Sequence, residues 1–288
     1  MILILRQNSF FNMANETFFL KDKAFYLFNT KFENLIVGFT TRNGGVSQGN
    51  YFSFNLGLHN GDSQESVIKN REILAQKFNK RPEDFVFMNQ THSTNIVFLD
   101  KNDNYKNCGF YNESSALQDT DAVFTNDMTK ILCVMTADCA PLLFYEPLSK
   151  IIGAAHCGWR GVVNGIISKT FEKCLEKILD FDLKNVRVFI GPNICGNCYE
   201  VGKDFVELLN KQYSNYISFI FDKNGKFYFD LEQAIINDLK FLGVQRKKIF
   251  NCKLCTFENT SQFYSYRFNN QTGRMINFIF CNYFFYFL

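Results

Sequence analysis

The sequence predicts a layered α/β or α+β domain. Short β-type runs dominate the chain from about residue 34 onward, and a few amphipathic helical segments fall between and after them. Hydrophobic residues make up 47% of the 288 residues, which is enough to bury a substantial core. Together these observations favour a single large domain of sheets covered by helices.

The predicted strands are short runs rich in Val, Ile, Leu and Phe. Several are apolar throughout, which is typical of strands covered on both faces. They occupy 34–41, 84–88, 95–100, 121–126, 131–137, 141–146, 151–156, 186–191 and 248–254.

The predicted helices show apolar residues on one face. In the helix predicted over 162–179, that face carries residues 163, 166, 167, 171, 174, 175 and 178. Asp62 is a candidate N-cap of the first helix. Asp230 caps the last helix, with Gln233 three residues on and Gly243 as its stop. The four helices occupy 62–78, 162–179, 203–213 and 230–243.

Composition limits the domain organisation and the partners. With four prolines and no Gly/Ser linker, we expect an irregular N-terminal lead-in over 1–33 and one catalytic domain over 34–288. Within the lead-in, 13–28 could instead form an edge strand. The net charge is only +3 and the basic residues are scattered, so nucleic acid is not an expected partner. The apolar run at 278–288 is shorter than the roughly 20 residues of a membrane helix, so no membrane partner is expected. We expect a monomer or a small homo-oligomer.

Ten cysteines in a chain of this length do not indicate a disulfide framework. The N-terminal "MILILRQNSFF" lacks a basic region and a cleavage site, so no signal peptide is predicted. The expected location is the reducing cytoplasm, with most cysteines acting as small core residues.

Reactive residues follow predicted strands in "MNQTHS", "VMTADCAP" and "GAAHCGWRG". If those strand ends converge, they bring His92, Cys139 and His156 together. Two imidazoles and one thiolate suit Zn²⁺ and leave one coordination position open, as in catalytic zinc sites. Copper also accepts this donor set, with Met135 close in sequence, but three histidines are too few for multicopper oxidase chemistry.

Two other interpretations of these residues remain open. Cys139 could be a thiol nucleophile activated by His92 or His156 without any metal, or each residue could simply belong to the core. Cys157 is a weaker nucleophile candidate, because neighbours along a strand point to opposite faces and His156 therefore points away from it.

The pairs "CGNC" (195–198) and "CKLC" (252–255) resemble halves of a Cys₄ zinc site. The 53 residues between them do not match the spacing of a zinc ribbon, and neither pair opens a predicted helix as a redox motif does. We interpret both pairs as structural.

Candidate substrate contacts surround these motifs. Arg42 begins a loop rich in Gly, Asn and Ser, and Arg160 lies at the start of a predicted helix; both arrangements favour an anion, although a hairpin turn and a structural arginine explain them equally well. Gln90 and Asp121 are candidates by position, for contact with a departing base.

Taken together, the ordered motifs "FTTRNGGVS", "NQTHS", "DTDAVFTN", "VMTADCAPLLFY", "GAAHCGWRGVVNGII", "IGPNICGNCYEVG" and "CTFENTSQFYSYRFNNQTGRM" resemble the laccase-domain (polyphenol oxidase-like) proteins, which are also assigned as purine nucleoside phosphorylases. The resemblance runs from about residue 34 to 280. It implies a layered sandwich of mixed β-sheets flanked by helices, similar to the Cys-His deamidase toxin fold.

The resemblance also implies a zinc site on His92, Cys139 and His156, the same residues that the strand ends indicate. The implied activities are phosphorolysis of adenosine, inosine, guanosine and methylthioadenosine, and deamination of adenosine. Alternatives are a Cys-His hydrolase of peptidoglycan precursors and a copper-dependent phenol oxidoreductase. The chain departs from the usual family pattern at Phe268, where an arginine is expected, and this weakens the case for Arg267 as a phosphate contact.

Overall fold

The computed structural model describes residues 18–282 except 33, 103–104 and 106–107. Its strands form two six-stranded sheets and one small sheet. In chain order the strands are β1 (Phe18–Asp22), β2 (Phe25–Phe28), β3 (Leu35–Thr40), β4 (Phe85–Phe87), β5 (Ile96–Leu99), β6 (Ala122–Thr125), β7 (Ile131–Thr136), β8 (Ala140–Glu146), β9 (Ile151–Cys157), β10 (Arg187–Ile190), β11 (Glu200–Val201), β12 (Ile220–Lys223), β13 (Lys226–Phe229), β14 (Ile249–Asn251) and β15 (Met275–Cys281).

Both large sheets are mixed, as the family resemblance implies. The first has the order β1-β2-β3-β15-β7-β4, in which only the β7–β4 pair is parallel. The second has the order β14-β10-β8-β9-β6-β5, with parallel pairs at both edges. The chain passes from the first sheet to the second between β7 and β8, through the residues "ADC".

The α-helices cover the outer faces of the two sheets. They are α1 (Gln64–Phe78), α2 (Trp159–Val163), α3 (Ile166–Lys177), α4 (Lys203–Gln212) and α5 (Leu231–Phe241). Helix α1 packs on the first sheet through Leu74 and Phe78. Helices α2, α3 and α5 pack on the second sheet, so the layers run helix, sheet, sheet, helix.

Alternation along the central strands explains why these runs are apolar throughout. In β8, Leu142 and Phe144 face the helices, whereas Leu143 faces the other sheet. Every second residue therefore enters a different core, and both cores need apolar side chains. Gly153 stands opposite Phe144 on β9, where a Cβ would lie 2.0 Å from the phenyl ring, so only glycine fits there.

Three expectations need correction. The lead-in 1–33 is not irregular where it is described, because β1 and β2 form an antiparallel hairpin at the edge of the first sheet; residues 1–17, including "MILILRQNSFF", lie outside the described part. The helix expected over 162–179 is two helices that begin at Trp159 and break at Gly165, whose φ is +84°. Ser63 rather than Asp62 caps α1, accepting a hydrogen bond from the amide of Ser66. The cap at Asp230 is confirmed.

Candidate metal centre

The structure brings His92, Cys139 and His156 together. One ligand atom from each residue lies within 4.8 Å of the other two. The loop after β4 carries His92, the turn between β7 and β8 carries Cys139, and β9 carries His156. The site therefore lies where the chain crosses from the first sheet to the second.

His156 is held in one orientation by Asp121. Its Nδ1 is 2.8 Å from Asp121 Oδ1, and its backbone amide donates to the carbonyl of Asp121 at 2.7 Å. Burial alone lowers the pKa of His156, but the neighbouring Cys139 and the bond to Asp121 raise it to about 9. With Nδ1–H donated to the carboxylate, the lone pair of Nε2 is directed away from Asp121, as in ligands of metals.

Asp121 also shapes the loop that carries His92. Its carboxylate accepts hydrogen bonds from the amides of Thr91, His92 and Ser93 and from the Ser93 hydroxyl. Burial raises the pKa of Asp121, but the bonds from His156 and Ser93 lower it overall. One carboxylate thus fixes two of the three candidate ligands.

His92 itself lies at the surface of the site. Its φ is +60°, a left-handed conformation that the three amide bonds to Asp121 help to hold. Its ring centroid is 4.8 Å from that of His156. Partial burial and the charge of His156 lower the pKa of His92 to about 4, so its imidazole is neutral at neutral pH, the form that binds metals.

Cys139 follows a strained residue. Asp138 has φ +96°, and its side chain is held at both oxygens: Oδ1 accepts from Thr256 Oγ1 at 2.6 Å, and Oδ2 accepts from the amide of Arg267 at 2.6 Å. The carbonyl of Asp138 accepts from the amide of Ile194. Two separate loops therefore determine where the Cys139 thiol points.

The residues present fit a metal ion of the expected kind. Two imidazoles and one thiol converge, and a carboxylate orients one imidazole from behind, which is the usual outer shell of a zinc-bound histidine. Gly158 leaves the room that this arrangement needs, since a Cβ there would lie 2.5 Å from His92 Nδ1 and 3.2 Å from Cys139 Sγ.

Positive charge surrounds the site. Arg160 is exposed with its guanidinium 4.5 Å above the Trp159 ring, and its charge acts on His92. The charge of Arg274 acts on His92 and Cys139. Among residues 18–32, 34–102, 105 and 108–282, neither guanidinium forms an ion pair. An anion approaching the site therefore meets the charge of the exposed Arg160.

Three of the predicted substrate contacts are already occupied by the protein. Arg42 donates to the carbonyls of Phe52 and Thr260, which is the structural alternative for that loop. The side-chain amide of Gln90 donates to the carbonyl of Met135 and accepts from the backbone amide of the same residue. Asp121 is fully buried behind the ligands, so it contacts His156 and not a substrate. These side chains therefore have partners within the protein, whereas Arg160 alone of the four stays exposed and free of such bonds.

Two further residues, His59 of "GLHNGD" and Tyr199, also lie near the site. His59 is close enough for the charges of Arg274 and His156 to act on it, and burial lowers its pKa to about 4. Burial and the nearby Cys139 raise the pKa of Tyr199. Both lie in other loops, and only tertiary folding brings them here.

Cys157 does point away from His156, as predicted. It packs with the helices in the core of the second sheet, and burial raises the pKa of its thiol far above the ordinary value. It is therefore a core residue.

The fold is that of a known family. The family described as multi-copper polyphenol oxidoreductase laccase matches residues 36–282, and the chain belongs to it.

Curated relatives carry a more specific name. The chain is 34% identical over 254 residues to the purine nucleoside phosphorylase YlmD of Bacillus subtilis, covering 87% of this chain and 90% of the relative. It is 36% identical over 243 residues to a purine nucleoside phosphorylase of Haemophilus influenzae, covering 83% and 91%. The crystal structure of the hypothetical protein YfiH of Bacillus licheniformis superposes with a TM-score of 0.84 at 30% identity, covering 93% of this chain and 100% of that one.

Within the described residues, no helix is long and apolar enough to cross a membrane.

Proposed function

We propose that the chain is a zinc-dependent purine nucleoside phosphorylase that accepts adenosine, inosine, guanosine and methylthioadenosine, and that also deaminates adenosine. The observation that carries the proposal is the convergence of His92, Cys139 and His156 beneath exposed positive charge. The names of the curated relatives support the phosphorolytic part.

The three residues hold the metal in this proposal. A zinc ion bound there supplies an electrophilic centre with one open position. Asp121 keeps the proton on Nδ1 of His156 and so leaves Nε2 as the donor atom. His92 is neutral at neutral pH and binds without first losing a proton.

Phosphate is drawn to the site by charge. Two neutral imidazoles, one thiolate and a divalent ion carry a net charge of about +1, and Arg160 and Arg274 add to it. In phosphorolysis a phosphate oxygen bonds to C1′ of the ribose while the bond from C1′ to the purine nitrogen breaks, and the base leaves with the electron pair. Arg160 is the proposed phosphate contact, because its guanidinium is exposed.

The test pairs metal content with turnover. Cys139→Ala should contain one zinc ion fewer per chain than the wild type and should release no hypoxanthine from inosine, because two imidazoles alone bind zinc weakly. Zinc is measured by mass spectrometry, and base release is followed with and without phosphate. Cys174→Ala, a change at a buried cysteine of α3, is the control. Normal phosphorolysis by Cys139→Ala would falsify the proposal.

Substrate assays separate the alternatives. Formation of inosine from adenosine without phosphate supports the deaminase part, and phosphorolysis alone removes it. Turnover of a muramyl-peptide precursor without nucleoside turnover would replace the proposal with the peptidoglycan hydrolase, and oxidation of a phenol by the copper-loaded protein would replace it with the oxidoreductase.

A metal-free Cys-His hydrolase is the second candidate. The contact between the Cys139 thiol and His156 favours it, since a thiol beside an oriented imidazole is also a nucleophile and its base. That enzyme would keep its activity in a strong chelator and lose it on alkylation.

We also propose the cytoplasm as the compartment of this protein, because thiolate ligands must stay reduced.

A further inference from the structure

A second group of metal-binding side chains lies outside the site described above. Cys195, Cys198, Cys255 and Glu258 each offer one ligand atom, and these atoms all lie within 4.8 Å of one another. Cys195 is the N-cap of the 3₁₀ turn Gly196–Cys198, Cys198 is the last residue of that turn, and Cys255 follows β14 and forms a β-bridge with Asn193. The group therefore takes both cysteines of "CGNC" and only the second of "CKLC".

The remaining cysteine explains why spacing could not reveal this group. Cys252 is buried with the residues between the two sheets, and it takes no part. Glu258, three residues beyond Cys255, takes the fourth position. The two pairs do not form a Cys₄ group; three of their cysteines converge with Glu258 instead.

The geometry suits zinc. With Zn–S bonds of about 2.3 Å, the edge of a tetrahedron of sulfurs is about 3.8 Å, so ligands now within 4.8 Å need to move by less than about 1 Å. Cys255 Sγ accepts from the amide of Cys195 at 3.3 Å, and the amides of Phe257 and Glu258 also point to it. Cys198 Sγ is 3.5 Å from Glu258 Oε1. Backbone amides directed at a sulfur stabilise a bound thiolate.

The degree of burial suits a structural ion. Cys255 is buried, Cys195 and Cys198 are half-buried, and Glu258 is exposed. An ion can enter from the Glu258 side and then be enclosed. Four protein ligands leave no open position, which is typical of structural zinc and differs from the three-ligand site.

We propose that Cys195, Cys198, Cys255 and Glu258 bind a second, structural zinc ion. The proposal goes beyond the proposed function and does not depend on it.

The second ion lies on the two loops that hold Asp138. Ile194, beside Cys195, donates its amide to the Asp138 carbonyl at 2.9 Å. Thr256, beside Cys255, donates its hydroxyl to Asp138 Oδ1. An ion that ties these loops together therefore holds the strained residue before Cys139 in place, and its loss loosens the first site.

The decisive experiment counts zinc in a protein whose first site has been removed. Cys139→Ala, purified with reductant and dialysed against a weak chelator, should keep about one zinc ion per chain. X-ray absorption of that ion should show sulfur neighbours at about 2.3 Å, three per zinc. Adding Cys198→Ala should remove the ion, and adding the control Cys252→Ala should not.

A milder variant guards against misfolding. Glu258→Gln changes only an exposed side chain, so the protein should fold normally and bind the second zinc at least about tenfold more weakly in competition with a chelator. In otherwise wild-type protein, Cys198→Ala should lower the melting temperature and weaken zinc binding at His92, Cys139 and His156.

Two outcomes would overturn the proposal: no zinc in Cys139→Ala, or unchanged zinc in the double variant with Cys198→Ala. Because the zinc is counted without Cys139, failure of the phosphorylase proposal leaves this result intact.

Discussion

Gly158 determines how closely His92 and Cys139 approach the strand that carries His156. It is buried at the start of α2, directly after β9. A methyl group here would lie 2.5 Å from His92 Nδ1, 2.9 Å from His92 Cε1 and 3.2 Å from Cys139 Sγ. The site therefore requires a residue without a side chain at this position, although Gly158 takes no part in the chemistry.

Gly158→Ala should displace the His92 ring and reduce phosphorolysis by about 10²-fold, since a misplacement of about 1 Å costs this much. Zinc binding at the first site should weaken in parallel, measured by chelator competition. The matched control is Gly161→Ala on the same helix, where the nearest atoms lie at an ordinary 3.5 Å. Equal activity of the two variants would show that the ligands do not need this space.

The three candidate ligands could be predicted from the sequence because each follows or ends an apolar strand. The role of Asp121 could not. It depends on β6 and β9 pairing with Ala122 opposite Ala155, which places the Asp121 carboxylate beside the His156 ring. Local periodicity predicts strands but not their partners, so a substrate role was expected for Asp121 and not a positioning one.

Among the elements, α1 carries the least expected core residue. Arg71 is 1% exposed and lies with its guanidinium 3.9 Å from the centre of the Phe87 ring. It donates to the carbonyls of Leu56, Gly109 and Phe110. Burial lowers its pKa to about 9. Hydrophobic periodicity assigns charged residues to the exposed face of a helix, so it does not predict that Arg71 is buried.

Arg71→Met should therefore destabilise the domain although it adds an apolar side chain. Three buried carbonyls lose their donor, and each such loss costs about 1–3 kcal/mol, so we expect at least about 3 kcal/mol in the free energy of unfolding. Urea titration measures it. Lys69→Met on the exposed face of α1 removes only the surface pair with Glu72, worth under about 0.5 kcal/mol. Similar midpoints for the two variants would contradict this account of Arg71.

At the scale of the whole molecule, the layers could be predicted but their connections could not. Strands 131–137 and 141–146 are neighbours in sequence, yet β7 and β8 belong to different sheets. The three residues between them cross from sheet to sheet and carry Cys139. The last described strand, β15, pairs with β3 and β7 from distant parts of the chain. Long-range pairing of this kind leaves no local signal.

Asp238 connects the helices of the outer layer and makes the stability of the whole domain depend on pH. Its Oδ2 lies 2.9 Å from the Tyr216 hydroxyl, which is also 3.1 Å from the carbonyl of Val162. The single tyrosine proton cannot serve both acceptors. When Asp238 is protonated, its own O–H donates to Tyr216 while Tyr216 donates to Val162; when it is ionised, the Tyr216 hydroxyl donates to Oδ2, and that bond lowers the pKa of Asp238. Burial raises the pKa of Asp238 to about 6.

The raised pKa fixes the sign of the pH effect. The folded state binds the proton more tightly than the unfolded state, whose Asp pKa is about 3.9, so this stabilisation is full below that value and is lost as pH rises through about 6. Asp238→Asn supplies a permanent donor to Tyr216 and should be more stable than wild type at pH 7.5 but not at pH 4. Urea titrations at both pH values measure this difference, with exposed Asp180→Asn as the charge control. A stability difference between Asp238→Asn and wild type that does not change between the two pH values would mean that Asp238 ionises normally in the folded domain.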